Sequence, residues 1–309
     1  MPFVKEKFIV EEKSLAFLFV MSALNYTQGQ AQRHIAKGRL IINGESMTYT
    51  GAMIEGDVEM VFFRPKGKGL RPTFQNNDFM LFEKPSGVLV HPNTMATPYS
   101  MLDEVRSIAG DNANSTHRID METSGLLLSS KHKKAENILK TSFEKRTIKK
   151  SYLAWVDGEL KAPFTSKESI KVNKEGYDKT KHKVFISEEG KASHTDFVPL
   201  EYDPTLNATL VACYPHTGRL HQIRIHLFHV KHPILGDPIY GASYEASDAY
   251  LDMLQSDEER LLHHGAPRLM LHAQSLEFNY GNPFYIESKM DFVSQRSLIV
   301  LPEFRIFNR

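Results

Sequence analysis

Lys13 to Leu24 is apolar-rich with helical spacing through Leu15, Leu18, Phe19 and Ser22, which predicts a first helix. A second helical pattern runs from Gln30 to Ala36 and stops at Lys37-Gly38, where glycine suits a C-cap. Arg39 to Gly44 reads as a short strand ending in an Asn-Gly turn, and Ile54 to Val61 as a further turn and strand. Residues 1–63 are therefore expected to form a small α/β unit in the order helix, helix, sheet. Arg64 to Asn77 interrupts the pattern with Pro65, Gly67, Gly69 and Pro72 among four basic residues, and reads as a linker over 64–77. A second unit, 78–309, opens on the apolar run Phe79 to Phe82. It mixes strand-like runs (Ser151 to Val156, Thr209 to Tyr214) with helical ones (Lys133 to Phe143, His221 to Phe228). Strands and helices do not alternate regularly. The expected class is α+β, with a mixed, largely antiparallel sheet rather than a doubly wound one.

Composition narrows this picture. With 309 residues, 41% hydrophobic and 24% charged, the chain can bury a sizeable core and is not expected to be extensively disordered. Its one cysteine, Cys213, excludes an internal disulfide and a multi-cysteine zinc site, and fits a reducing compartment. Met1 to Val10 carries Lys5, Glu6 and Lys7 and does not read as a signal peptide, and no apolar run is long enough to span a bilayer. The cytoplasm and a monomeric state are the default expectations. The net charge is only +1, so any contact with a polyanion must be local. Two segments offer it. Lys131 to Lys150 holds eight basic residues and two acids, and residues 161–183 hold seven lysines and three acids. Taken alone, such runs are more often solvated surface. Flanking a possible site, they suit phosphates.

The segment His117-Arg118-Ile119-Asp120-Met121-Glu122-Thr123-Ser124-Gly125 places a carboxylate between a basic approach and a turn leading into the apolar run Leu126 to Leu128. Loop aspartates are more often turn caps than reactive groups. A carboxylate beside an arginine can nevertheless act as nucleophile or base, and Arg118 and Arg224 supply forked donors. Around Arg224 the run is Thr217-Gly218-Arg219-Leu220-His221-Gln222-Ile223-Arg224. Gly218 is read as permitting a tight turn before a helix on which His221, Arg224, Ile225 and Phe228 share a face. Tyr152 in its strand would ordinarily be core with a bonded hydroxyl. His226, His229 and His232 lack metal-site spacing, and no metal is expected. Asp120 and Glu122 are too close in sequence to flank a glycosidic bond as a hydrolase pair.

These segments resemble the RluA-type RNA pseudouridine synthases. His117-Arg118-Ile119-Asp120 with Thr123-Ser124-Gly125 is similar to their signature. Lys84-Pro85-x-Gly87, Tyr152-Leu-Ala, Gly218 to Arg224, His232 to Asp237 and Arg268 to Ala273 match further blocks in order, over roughly residues 78–280. Met121 and Leu220 depart from the usual residues. Residues 1–63 resemble, more loosely, the RNA-binding module first seen in ribosomal protein S-four, with Thr27-Gln28-Gly29-Gln30 in place of its Ser-Arg-Ser.

The resemblance implies a pseudouridine synthase fold and isomerisation of uridine in structured ribosomal or transfer RNA. Asp120 would break the N-glycosidic bond, by adding to the sugar or by taking a ribose proton. Tyr152 would stack on the base and help remove the carbon-5 proton, and Arg224 would keep Asp120 charged. Arg118 would fill the space of a flipped uridine, with His117, Thr123, Arg219, His221 and Gln222 as further substrate contacts. No cofactor is implied. The alternatives are a non-catalytic RNA-binding or assembly protein, and a nucleoside hydrolase.

Overall fold

The computed structural model describes residues 1–173 and 184–301. Part of the second basic segment, residues 174–183, lies outside the described residues. The chain opens with a strand the sequence reading did not anticipate, β1 (Phe3–Leu15), followed by helices α1 (Ala16–Leu24) and α2 (Gln28–Ala36) and strands β2 (Leu40–Ile42), β3 (Glu45–Met47) and β4 (Met53–Phe63). The sheet order is β1-β4-β2-β3. The expected first helix loses Lys13 to Leu15 to β1, because Ser14 and Leu15 pair with Ile54 and Met53 across the ladder. Helix α1 starts only where the Ala16 amide turns to the Ala52 carbonyl, 2.8 Å away. The pairing joins residues about forty positions apart, so no local period announces it. At α2, Thr27 and Gln30 form a reciprocal capping box. The unusual Thr-Gln-Gly-Gln run thus serves to start the helix. Asn43 and Gly44 both have positive φ, as the expected hairpin turn requires.

The expected linker contains a short strand, β5 (Phe74–Gln75), and is hydrogen-bonded along its length. The amides of Lys66, Gly67 and Lys68 donate to Asp103, Ser107 and Glu104 of the helix α3 (Met101–Ala109).

The large sheet takes β5, β6 (Phe79–Lys84), β7 (Asn114–Ser115) and β8 (Ser124–Ser130). After α4 (Lys133–Glu144) come β9 (Lys149–Asp157), β10 (Phe164–Ser166), the separate hairpin β11 (Ile170–Val172) with β12 (Val184–Ile186), β13 (Thr195–Asp203) and β14 (Ala208–Pro215). Helices α5 (Gln222–His229), α6 (Tyr244–Leu251) and α7 (Asp257–His264) precede β15 (Leu271–Tyr280) and β16 (Asn282–Glu287). The order β10-β13-β14-β9-β15-β8-β6-β5 carries β16 on β15 and β7 on β8. Among the described pairs only β15 with β8 is parallel; the class is α+β, as expected. The parallel contact is short and tight. A Cβ on Gly125, whose φ is +103, would stand 2.4 Å from the Ala273 carbonyl oxygen. Close backbone approach therefore explains the glycine of the Thr-Ser-Gly turn. That turn brings the loop bearing Asp120 to the start of β8, an interior strand between β15 and β6.

Candidate active site

A cavity of about 540 Å³ opens there, and its walls include all nine side chains singled out in the sequence: His117, Arg118, Asp120, Thr123, Tyr152, Arg219, His221, Gln222 and Arg224. Asp120 lies in the loop between β7 and β8, Tyr152 in β9, and Arg224 in the first turn of α5. Arg224 Nη1 donates to Asp120 Oδ2 at 3.3 Å, and His221 Nε2 stands 3.9 Å from the same oxygen.

Arg224 is aimed by a residue that the sequence reading gave no role. Its Nε and Nη2 donate to Asp237 Oδ2 and Oδ1, both at 2.7 Å. Asp237 is held in turn by the Ile239 and Tyr240 amides. Burial works against the guanidinium's charge, but Asp237 outweighs it, and the Arg224 pKa is raised. Burial likewise opposes the Asp237 charge, and Arg224 more than offsets it, leaving that carboxyl below its ordinary value. A forked pair of this kind orients the third nitrogen toward Asp120.

The loop bearing Asp120 is pinned from below by Lys84. This fully buried side chain donates to the carbonyls of Pro85, Val88 and Met121, each at 2.8 Å. Burial brings its pKa down to about 7, against the pull of Glu122 and Asp120. Ser86 Oγ and the Gly87 amide bond the carbonyls of Glu122 and Met121. Glu122 itself turns away, accepting from Tyr250 and Arg260. It therefore forms no carboxylate pair with Asp120.

Three expectations change in detail. Gly218 does not have positive φ; the left-handed residue before α5 is His221, with φ 52. Gln222 is occupied within the protein. Its Oε1 accepts from Thr217 and Arg219, and its Nε2 donates to His194 and Thr195. It ties the turn before α5 to the end of β13. His117 stacks on Phe143 and accepts the Leu128 amide through Nε2. Burial, helped by Lys150, depresses it to about 3, so it is neutral. Arg118 is exposed at the cavity wall, and Thr123 is buried, its amide bonded to the Asp120 carbonyl. Burial and then the Asp120 carboxylate push the Tyr152 phenol up.

Lys140, Arg146 and Lys150 complete one wall. They come from the first basic segment, whose charge was the signal for them. Lys150 is drawn down to about 8 by burial and by Arg146. Two of the three histidines between 226 and 232 are held within the protein: His226 bonds Ser193 and Thr195, and His232 bonds the Asp157 carbonyl.

The sequence profile described as RNA pseudouridylate synthase matches residues 78–229. An uncharacterised RNA pseudouridine synthase of Helicobacter pylori is 37% identical over 92% of this chain and 93% of its own length. The dual-specificity RNA pseudouridine synthase RluA of Escherichia coli is 33% identical over 71% of this chain and 92% of its own. Among solved structures, human RNA pseudouridylate synthase domain containing 1 superposes with a TM-score of 0.58 at 24% identity, over 76% of this chain and 89% of that one. With the cavity, the fold and these likenesses in agreement, the chain belongs to the RluA-type RNA pseudouridine synthases, enzymes that isomerise uridine in RNA.

Proposed function

We propose that this enzyme converts particular uridines of structured ribosomal or transfer RNA to pseudouridine, with Asp120 as the essential carboxylate. The observation carrying this reading is the Asp120–Arg224 contact at 3.3 Å in an open cavity, backed by the Arg224–Asp237 fork. A relative named tRNA pseudouridine synthase C, from Pasteurella multocida, is 33% identical over 67% of this chain and supports transfer RNA as one substrate class.

In this reading a uridine leaves its stack, because its glycosidic bond is unreachable within one. Arg118, exposed at the cavity wall, fills the vacated space. The base enters over Tyr152, and Asp120 acts on the sugar. Tyr152 is kept a neutral phenol by burial and by Asp120. Stacking on the base therefore carries its part. Arg219 and His221 contact the nucleotide, while Thr123, His117 and Gln222 hold the loops that present it. No cofactor is needed for an isomerisation in which bonds broken and formed balance within one nucleotide.

The proposal extends to organisation. Residues 1–63 form an S-four-like RNA-binding module, 64–77 a linker and 78–309 the catalytic domain, working as a cytoplasmic monomer. No described helix is long and apolar enough to cross a membrane. In the N-terminal module Arg33, Lys37 and Arg39 lie together near Arg106. Lys37 is lowered by burial and then by these cations, a crowding that phosphates would relieve.

Two measurements test the assignment. Asp120→Asn, nearly isosteric, should abolish tritium release from carbon-5-labelled uridine in RNA while leaving the melting curve in place; retained turnover refutes it. Mapping pseudouridines in total RNA with and without the gene names the target. Loss of no site, with no release from ribosomal or transfer RNA, would favour a protein that only binds.

A further inference from the structure

Three side chains outside the Asp120–Arg224 centre gather where β13 meets the end of β14. His194 immediately precedes β13, Asp196 is its second residue, and His216 immediately follows β14. Their backbones are fixed. The His216 amide donates to the His194 carbonyl at 3.0 Å, the His194 amide donates to Thr217 Oγ1 at 3.0 Å, and Asp196 pairs with Tyr214 across the ladder. The two imidazoles stack with ring centroids 4.1 Å apart. Both present Nε2 to one carboxylate: His216 lies 2.6 Å from Asp196 Oδ2, and His194 lies 3.3 Å from Oδ1. One donor atom from each residue falls within 4.8 Å of the other two. Thr165 Oγ1 donates to Asp196 Oδ1 at 2.6 Å, an outer hydrogen bond of the kind that orients a ligating carboxylate.

We propose that His194, Asp196 and His216 bind a divalent transition metal ion of the Zn²⁺ type at the rim of the cleft. Two imidazole nitrogens and one carboxylate oxygen suit zinc, cobalt or nickel. Magnesium and calcium take all-oxygen sets. Tetrahedral coordination at about 2.1 Å sets donors about 3.4 Å apart. The two contacts run to different oxygens, 3.3 Å to Oδ1 and 2.6 Å to Oδ2, and with one oxygen as the ligand side-chain rotation brings both nitrogens to that spacing from donor atoms already within 4.8 Å of one another. The three side chains are 34%, 39% and 51% exposed, which leaves an entry path and room for water as the fourth ligand. Without the ion the same atoms make imidazole–carboxylate hydrogen bonds.

Position gives the site its consequence. His216 lines the cavity and leads into Thr217, Gly218 and Arg219. An ion there joins the end of β13 to the turn that carries Arg219 and precedes α5. It touches no reacting atom and acts by holding that turn.

The test uses the full chain, stripped with a chelator and titrated with Zn²⁺ near neutral pH against a micromolar chromophoric competitor. One equivalent is expected to bind. His194→Ala and His216→Ala should each weaken binding at least about tenfold, and exposed His229→Ala should leave it unchanged. Co²⁺ should give the visible absorption of a tetrahedral nitrogen–oxygen site in the parent and none in the His216→Ala protein. Asp196→Asn, which keeps a neutral acceptor for His216, guards against a variant that merely unfolds, and it should weaken binding similarly. Binding well below one equivalent, or an affinity that the three substitutions leave unchanged, overturns the site.

Discussion

The two larger sheets among the described residues treat charge in opposite ways. In residues 1–63 the one buried polar side chain among the described residues is His34, which burial and Arg39 keep neutral, with a pKa lowered to about 4. The Lys5–Glu59 pair within this unit and the Arg64–Glu6 pair at its border sit in solvent. Around the cleft, Lys84, Glu122, Arg224 and Asp237 are all buried, and each has at least two polar partners. Buried ions cost desolvation energy that their attraction seldom more than offsets. A sheet that has only to fold keeps them outside. A cleft that must hold one carboxylate and one guanidinium in a fixed geometry does not have that choice.

The hardest blow to this contrast comes from breaking the fork. Asp237→Ala leaves the Arg224 charge buried with Asp120 as its one remaining carboxylate partner among the described residues. We expect about 3–5 kcal/mol of lost stability in guanidinium unfolding, together with loss of pseudouridine formation. A change under about 1 kcal/mol would mean that the cleft tolerates loose charge as the surface does.

Lys84 separates holding from folding. Lys84→Met removes a buried charge and fills its volume but takes the donor from the Pro85, Val88 and Met121 carbonyls, so stability should fall by about 1–3 kcal/mol. The loop bearing Asp120 loses its anchor at the Met121 carbonyl, and turnover should fall about 10²-fold with little change in RNA affinity. The pH dependence gives a second readout. The folded-state pKa is lowered from 10.5 to about 7. Between those values the unfolded chain binds the additional proton, so this group makes stability rise with pH across the window. The ammonium that holds the loop is lost around pH 7, at the lower end of that window, so turnover should fall there as stability begins to rise. In the Lys84→Met protein this group's part of both trends disappears. An unchanged turnover in that variant would relegate Lys84 to packing.

How much of this was legible beforehand follows from the range of the forces. The Asn43-Gly44 turn, α4, β9 and β14 are set by neighbours in sequence, and their patterns announced them; the Thr27–Gln30 box went unread, and the expected helix began two residues late, at Gln30. Strand β1 was hidden because its partner lies about forty residues away. Helices α6 and α7 were missed because their apolar spacing is weak, although they deliver Tyr250 and Arg260 to Glu122. The nine cleft residues were legible because their types and order form a resemblance. Asp237 and Lys84 stood within quoted motifs, yet only folding shows that one grips Arg224 and the other grips the carbonyl next to Asp120.

The N-terminal sheet yields smaller effects. If Arg33 and Lys37 meet phosphates, Arg33→Ala and Lys37→Ala should each reduce the slope of log affinity against log salt by about 1. Turnover at saturating RNA should stay the same. An unaltered slope would confine RNA binding to the catalytic domain.

The smallest effect is expected at Lys5 and Glu59, whose 3.2 Å pair joins β1 to β4 with side chains 56% and 32% exposed. Water screens the attraction, and two flexible side chains must be ordered to make it. Lys5 stands opposite Val61, and Glu59 opposite Lys7, so the pair is diagonal and the ladder itself does not need it. Lys5→Ala should therefore cost no more than about 0.5 kcal/mol, and added salt should erase even that. A loss above about 2 kcal/mol at Lys5 would approach what is expected of Asp237. The division between a sheet that sheds its charges and a cleft that must bury them would then fail at its simplest point.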